Sequence, residues 1–248
     1  LVPILADHDA ILPLAGEPVA ARRWDARQKP RLRDSRVEST RAIVEALTQL
    51  EPRPRVLVTA SGIDYYGYAS GPLDDDEVTE SDPPGESFLA RLCRDWEKEA
   101  AAATRLGVRV ASMRTGLVLG PGGPLAKMTT PFKLFAGGKI GSGKQWVSWI
   151  HLADAVNAYV AALTDDRYTG AINLVTDSAR NAEVSRAIGH ALSRPSWLPV
   201  PAFALKAAVG ELAETILHGR RAVPAKLRAL GFTFEHPTLD EAVTSALA

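Results

Sequence analysis

Among the arrangements of reactive side chains in this sequence, the most conspicuous is Gly138-Lys139-Ile140-Gly141-Ser142-Gly143-Lys144-Gln145-Trp146. Gly138, four residues, then Gly143-Lys144 match all but the last position of a loop that cradles a nucleoside triphosphate. That chemistry needs glycines that let backbone N–H groups face phosphate, a lysine for its charge, and a Ser or Thr hydroxyl on magnesium. Gln145 stands where the hydroxyl belongs, and Trp146 to Ile150 is a β-rich run rather than a helix start. The stretch therefore reads as a glycine turn feeding a strand. His151 and Asp154 straddle a strand-to-helix turn, where an aspartate is favoured by the helix dipole alone, so a structural role is expected. His8, His190, His218 and His236 have no ligand-like spacing, and no metal site is expected. Cys93, the single cysteine, cannot form an intramolecular disulfide and is expected as packing.

The elements that must position any site come from the apolar periodicity. Ala10 to Gly16, Arg55 to Ser61 and Val108 to Met113 are near-continuous apolar runs ending in small or polar residues, which predicts buried strands. Between them, Ser35 to Leu50 has helical spacing, and Phe88, Leu92, Trp96 and Ala100 recur every four positions, predicting a helix over 86–105. Strands separated by helices indicate a parallel, doubly wound α/β sheet covered on both faces. Ligands of such sheets sit outside the carboxyl ends of the strands, here Leu14-Ala15-Gly16, Thr59-Ala60-Ser61-Gly62 and Arg114-Thr115-Gly116. Beyond Gly116 the pattern predicts a loop at 120–124, a helix over Leu125 to Phe135, a strand over Trp146 to Ile150 and a helix over Leu152 to Leu163. Asn181 is expected to cap a helix running through Ala191. Helices over Phe203 to Leu217 and Pro224 to Leu230 follow, then a last one opened by the capping box Thr238-Leu239-Asp240-Glu241. The expected division is a core of 1–120 with 150–180, and a smaller, mainly helical lobe of 121–149 and 181–248, which the resemblance given below makes the substrate lobe.

Lys plus Arg number 29 and Asp plus Glu 29, so the formal charge is zero. That balance argues against a nucleic-acid or anionic-membrane partner and favours a small-molecule substrate. No apolar run approaches the roughly 20 residues of a membrane-spanning helix. A cytoplasmic protein is expected; the oligomeric state is left open.

Six blocks then carry a family resemblance: Leu14-Ala15-Gly16-Glu17, Asp34-Ser35-Arg36-Val37 with Thr40, Asp64-Tyr65-Tyr66-Gly67, Asp95-Trp96-Glu97, Arg114-Thr115-Gly116 with Leu119-Gly120-Pro121-Gly122-Gly123, and Trp149-Ile150-His151-Leu152-Ala153-Asp154. In this order the chain resembles the extended short-chain dehydrogenase/reductase superfamily, in its atypical branch similar to nucleoside-diphosphate-sugar epimerases. The resemblance implies a Rossmann fold binding NADP or NAD, with NADP preferred, and an NAD(P)-dependent epimerase/dehydratase-like oxidoreductase whose substrate is unknown, a sugar nucleotide being one candidate. The alternative is a catalytically silent NADP(H)-binding sensor or interaction protein on the same fold. No glycine-rich dinucleotide turn stands ahead of Ala10, which predicts a break between Leu5 and Ala6 where the family's first strands would lie.

The family's catalytic tyrosine is followed four residues on by lysine, and no tyrosine here is. Taking the register from Glu97, the resemblance puts the tyrosine position at Leu89 and the lysine position at Cys93, and the assisting Ser/Thr at Gly62, beside Ser61. Ser61, Asp64, Tyr65 and Tyr66 lie just past the strand end where nicotinamide is expected. Tyr66 is the replacement acid by position, assisted by Ser61, although Tyr66-Gly67 also reads as a structural turn. Cofactor contacts are expected from Leu14, Ala15, Gly16, Arg36, Ser61, Leu89, Thr115, Gly116 and Leu117.

Overall fold

In the computed structural model, which describes residues 1–68 and 75–248, helices and strands alternate as the apolar runs predict. Helix α1 (Val2–Leu5) leads to β1 (Ala10–Ile11), and α2 (Gln28–Leu47) to β2 (Val56–Gly62). A 3-10 turn, Ile63–Tyr66, leaves β2. There follow β3 (Glu77–Val78), α3 (Phe88–Ala101), β4 (Arg109–Thr115), β5 (Leu117–Leu119) and α4 (Gly123–Lys133). Next come β6 (Trp146–His151), α5 (Leu152–Thr164), β7 (Gly170–Leu174), β8 (Asp177–Arg180) and α6 (Asn181–Ala191). Helices α7 (Ala202–Val209) and α8 (Leu212–Leu217), strand β9 (Arg221–Ala222), α9 (Ala225–Ala229) and α10 (Leu239–Leu247) complete the chain.

Strands β1, β2, β4 and β7 form one parallel sheet in that order. Strand alternation sends Val56, Val58, Ala111, Met113 and Ile172 against Ala155, Ala158 and Ala162 of α5. The opposite face sends Leu57 and Val110 against Ile43 and Leu47 of α2 and Ala100 of α3. Burial on both faces explains why these runs carry no polar alternation. The register sets Ser61 opposite Arg114, and Arg114 opposite Asn173, so three polar side chains stand in a row across β2, β4 and β7 near their carboxyl ends.

Strands β5, β6 and β8 make a second sheet. With α4, α6 and α10 it encloses a separate core of Leu119, Leu125, Phe132, Trp149, Val184, Ile188 and Val243. Helix α5 and strand β7 return to the first sheet.

Several expected boundaries move for identifiable reasons. Helix α2 starts at Gln28, ahead of Ser35, because Asp25 Oδ1 accepts the N–H groups of Arg27 and Gln28 at 2.8 and 2.7 Å. The helix expected over Phe203 to Leu217 is two, since Gly210 at φ 63° ends α7. Asn181 is the first residue of α6, not its cap: Glu183 accepts the Arg180 N–H at 2.6 Å, while Asn181 Oδ1 accepts the Ile140 N–H at 2.7 Å. Thr238 does cap α10, accepting the Glu241 N–H at 3.4 Å. The break expected between Leu5 and Ala6 is not present, since Ala6 closes α1 by donating its N–H to Val2 O at 3.0 Å. Among the described residues no helix is long and apolar enough to cross a membrane.

Candidate functional site

Leu14, Ala15 and Gly16 leave β1 exposed, Leu14 at 64 %. Arg36 on α2 reaches this strand end: its Nη1 donates to Glu17 O at 2.9 Å, Leu32 O at 3.2 Å and Ser35 Oγ at 3.3 Å. A Cβ on Gly16 would stand 3.1 Å from Arg36 Cζ, so glycine admits the guanidinium beside the strand end. These bonds all leave from Nη1; Nε and Nη2 have no hydrogen-bond partner among the described residues. Burial lowers the Arg36 pKa, and a guanidinium stays cationic nonetheless.

The other expected cofactor positions are more tightly held. Thr115 Oγ1 donates to Met113 O at 3.1 Å and the Gly116 N–H to Leu174 O at 3.1 Å. A Cβ on Gly116 would lie 2.6 Å from Ser148 O, so the glycine is required where β4 parts from β5. Leu117 pairs with Trp149 across β5 and β6. Leu89 is buried with Leu32, Leu92, Trp96 and Leu212 and belongs to the core.

Ser61 and Tyr66 meet in one buried network. The pleat turns Ser61, Arg114 and Asn173 toward α3, where Ser87 caps the helix by accepting the Ala90 N–H at 3.1 Å and Glu97 projects to the sheet. Arg114, 3 % exposed, grips Glu97 with two bonds, Nε to Oε1 at 2.9 Å and Nη2 to Oε2 at 2.8 Å. Its Nη1 donates to Tyr66 Oη at 2.9 Å, and its guanidinium lies 3.4 Å from the Tyr65 ring centroid. Ser61 Oγ donates to Glu97 Oε1 at 2.7 Å, and Tyr66 Oη donates to Asn173 Oδ1 at 2.6 Å. Asn173 in turn gives Nδ2 to Val223 O at 2.9 Å. Burial pushes the Tyr66 phenol up to about 12, although Arg114 pulls the other way. Burial opposes charge on Arg114 too, but Glu97 and Tyr66 outweigh it and hold its pKa above the ordinary range. Both hydroxyls expected to move protons thus spend theirs on internal acceptors.

Beside this network lies a carboxyl without such partners. Asp64, in the turn leaving β2, stands with Oδ2 at 3.3 Å from where a Cβ on Gly62 would be, and Cys93 Sγ is 3.6 Å from the same point. No other side chain bonds to it among the described residues. Burial lifts its pKa from 3.8 to about 6. The Cys93 thiol is pushed up to about 12 by burial and by the nearby Asp64 and Glu97 carboxylates.

The glycine-rich stretch 138–146 is satisfied from within. Gln145 Nε2 donates to Ile140 O at 3.0 Å, the Ala182 N–H to Gly143 O at 2.9 Å, and a Cβ on Gly138 would overlap Leu198 O at 2.2 Å. Gly141 and Gly143 take φ 57° and 72° to turn the chain into β6. Gln145 is buried and its amide committed, while Lys144 is exposed. His151, Asp154 and His236 do gather, with ligand atoms within 4.8 Å. Asp154 is buried, however, and accepts the N–H groups of Glu235 and His236 at 2.6 and 3.1 Å. The two imidazoles stack at 3.7 Å with 30° between their planes. The cluster pins the segment after α9 to the start of α5.

Tyr66 and Ser61 were legible as strand-end residues, but Arg114, Glu97 and Asn173 as their partners were not. The available signal was a polar residue near the carboxyl end of each of three largely apolar strands, Ser61 in β2, Arg114 in β4 and Asn173 in β7.

This geometry agrees with what the chain is similar to. Residues 2–174 match the NAD dependent epimerase/dehydratase family, and residues 200–246 match DUF1731, a domain of unknown function. The chloroplastic SDR39U1 homolog of Arabidopsis thaliana, an epimerase family protein, is 42 % identical over 242 residues, covering 96 % of this chain and 68 % of the relative. Epimerase family protein Mb2239 of Mycobacterium bovis is 40 % identical, covering 96 % of this chain and 78 % of its own. The crystal structure of human epimerase family protein SDR39U1 with NADPH superposes with a TM-score of 0.90 at 33 % identity, over 98 % of this chain and 83 % of that one. The parallel sheet is therefore of the Rossmann type, and the chain belongs to the NAD dependent epimerase/dehydratase family.

Proposed function

We propose that this chain forms the greater part of an NADP(H)-dependent oxidoreductase of the epimerase type, acting on a small substrate that carries a carbinol or carbonyl carbon. The observation that carries the reading is the exposed end of β1 with Arg36 beside it, in a fold that superposes on a relative crystallised with NADPH. Arg36 Nε and Nη2 fit a phosphate, because a guanidinium presents donors in the planar arrangement that phosphate oxygens accept. Leu14, Ala15 and Gly16 offer exposed backbone for ribose or adenine. Thr115 and Leu117 border the nicotinamide side, whereas Gly116 serves the crossing of two sheets and Leu89 the core. The bound dinucleotide supplies or accepts hydride; this chain's residues orient it and handle the proton. Tyr66 and Ser61 belong to the frame in this reading, since each donates its proton to a buried acceptor.

A second reading, a cofactor-binding sensor without turnover, draws on Gly62, Leu89 and Cys93, the residues that the family resemblance puts at the Ser, Tyr and Lys positions when the register is taken from Glu97. Titration of the full protein with NADPH and NADH, followed by nicotinamide fluorescence, tests the shared part of both readings. Saturable binding with NADPH the tighter ligand, weakened in Arg36→Ala, is expected. Failure of both dinucleotides to bind removes both readings.

A further inference from the structure

We propose that Asp64 is the catalytic proton donor and acceptor of this site, taking the place of the absent tyrosine, lysine and serine. The inference rests on the NADP(H) reading above. Its ground is position: the Asp64 carboxyl reaches within 3.3 Å of the Cβ position at Gly62, and Cys93 on α3 lies 3.6 Å from the same point. A single carboxyl therefore stands against the point where the resemblance puts the superfamily's assisting Ser/Thr side chain, with Cys93 beside the same point.

Elimination points the same way. Ser61 gives its proton to Glu97 and Tyr66 to Asn173, and both acceptors are fixed in turn by Arg114 and Val223. The Cys93 thiol, near 12, holds its proton throughout the neutral range. Burial raises the Tyr68 phenol as well. Asp64, near 6, exchanges its proton close to neutral pH, where a general acid and base works best. The titratable groups that feel it are Cys93 and Tyr68, whose pKa values its charge raises.

In the reducing direction the carbonyl carbon accepts hydride from the reduced nicotinamide and the C=O π pair moves to oxygen. The Asp64 proton passes to that oxygen, leaving an alcohol, the Asp64 carboxylate and the oxidised nicotinamide. Oxidation runs the same transfers backward, with the carboxylate taking the hydroxyl proton.

The test compares wild type, Asp64→Asn and Asp64→Glu by three readouts: NADPH affinity, turnover and thermal midpoint at pH 5 and pH 8. Turnover is read as NADPH oxidation with diacetyl and as NADP reduction with UDP-glucose. The expected result is unchanged NADPH affinity in Asp64→Asn, a fall in turnover of about 100-fold or more, partial recovery in Asp64→Glu, and a midpoint that stands further above wild type at pH 8 than at pH 5. Turnover that survives in Asp64→Asn, or wild type that binds NADPH and turns over neither probe, overturns the role of Asp64 while the cofactor reading stands. Loss of NADPH binding by wild type itself sinks the reading beneath it.

Discussion

Two polar clusters adjoin at the carboxyl end of β2, and they differ in how completely their bonds are made. In the first, Ser61, Glu97, Arg114, Tyr66 and Asn173 form a closed circuit in which each side chain is answered by another or by backbone. In the second, Asp64 has no side-chain hydrogen-bond partner among the described residues and stands beside Gly62 and the protonated Cys93 thiol. A satisfied buried network fixes geometry, since every departure strands a donor or a charge. An unsatisfied carboxyl is costly to keep, and that cost is what tunes it toward neutral pH. The first cluster reads as the frame of the site, and the second as its reagent.

Breaking the frame has the largest effect. Glu97→Ala leaves Arg114 charged, buried and unpaired, and is expected to cost about 3–5 kcal/mol in urea unfolding. Tyr66→Phe removes one hydrogen-bond partner from Arg114 and one from Asn173, for an expected loss of about 1–3 kcal/mol by the same measurement. If Tyr66 were the proton donor instead, this variant would lose turnover out of proportion to stability, and the comparison would be inverted. Ser61→Ala removes one bond to a carboxylate that retains its Arg114 pair, and about 1 kcal/mol or less is expected.

Much of this was legible beforehand, and for physical reasons. A doubly covered parallel sheet forces continuous apolar runs, so β2, β4, α3 and α5 could be placed from periodicity. Glycine roles were harder to assign. The sequence did not show that the missing side chain of Gly116 makes room for Ser148 O, a neighbour brought there by a separate sheet. The frame was hidden because register, not spacing, brings Ser61, Arg114 and Asn173 into line, and they lie far apart in the chain. Tyr66 was visible as a tyrosine in the right place, but not that its proton is held by an asparagine on β7. Leu89 was placed by the family register, and the apolar spacing of α3 buries it against Leu32 and Leu212.

The most direct test of the division between frame and reagent is the unfolding free energy of wild type and Asp64→Asn from pH 4 to pH 8. The folded pKa of Asp64, about 6, lies above its ordinary 3.8. The folded protein thus holds this proton more tightly than the unfolded chain, and the associated stability is present below 3.8 and lost as pH rises through 6. The difference between those two pKa values is worth about 3 kcal/mol. Asparagine does not titrate, so the variant is predicted to match wild type near pH 4 and to exceed it by up to about 3 kcal/mol at pH 8. Parallel curves, or a variant less stable than wild type at pH 8, would mean that Asp64 is a satisfied structural residue and contradict the account.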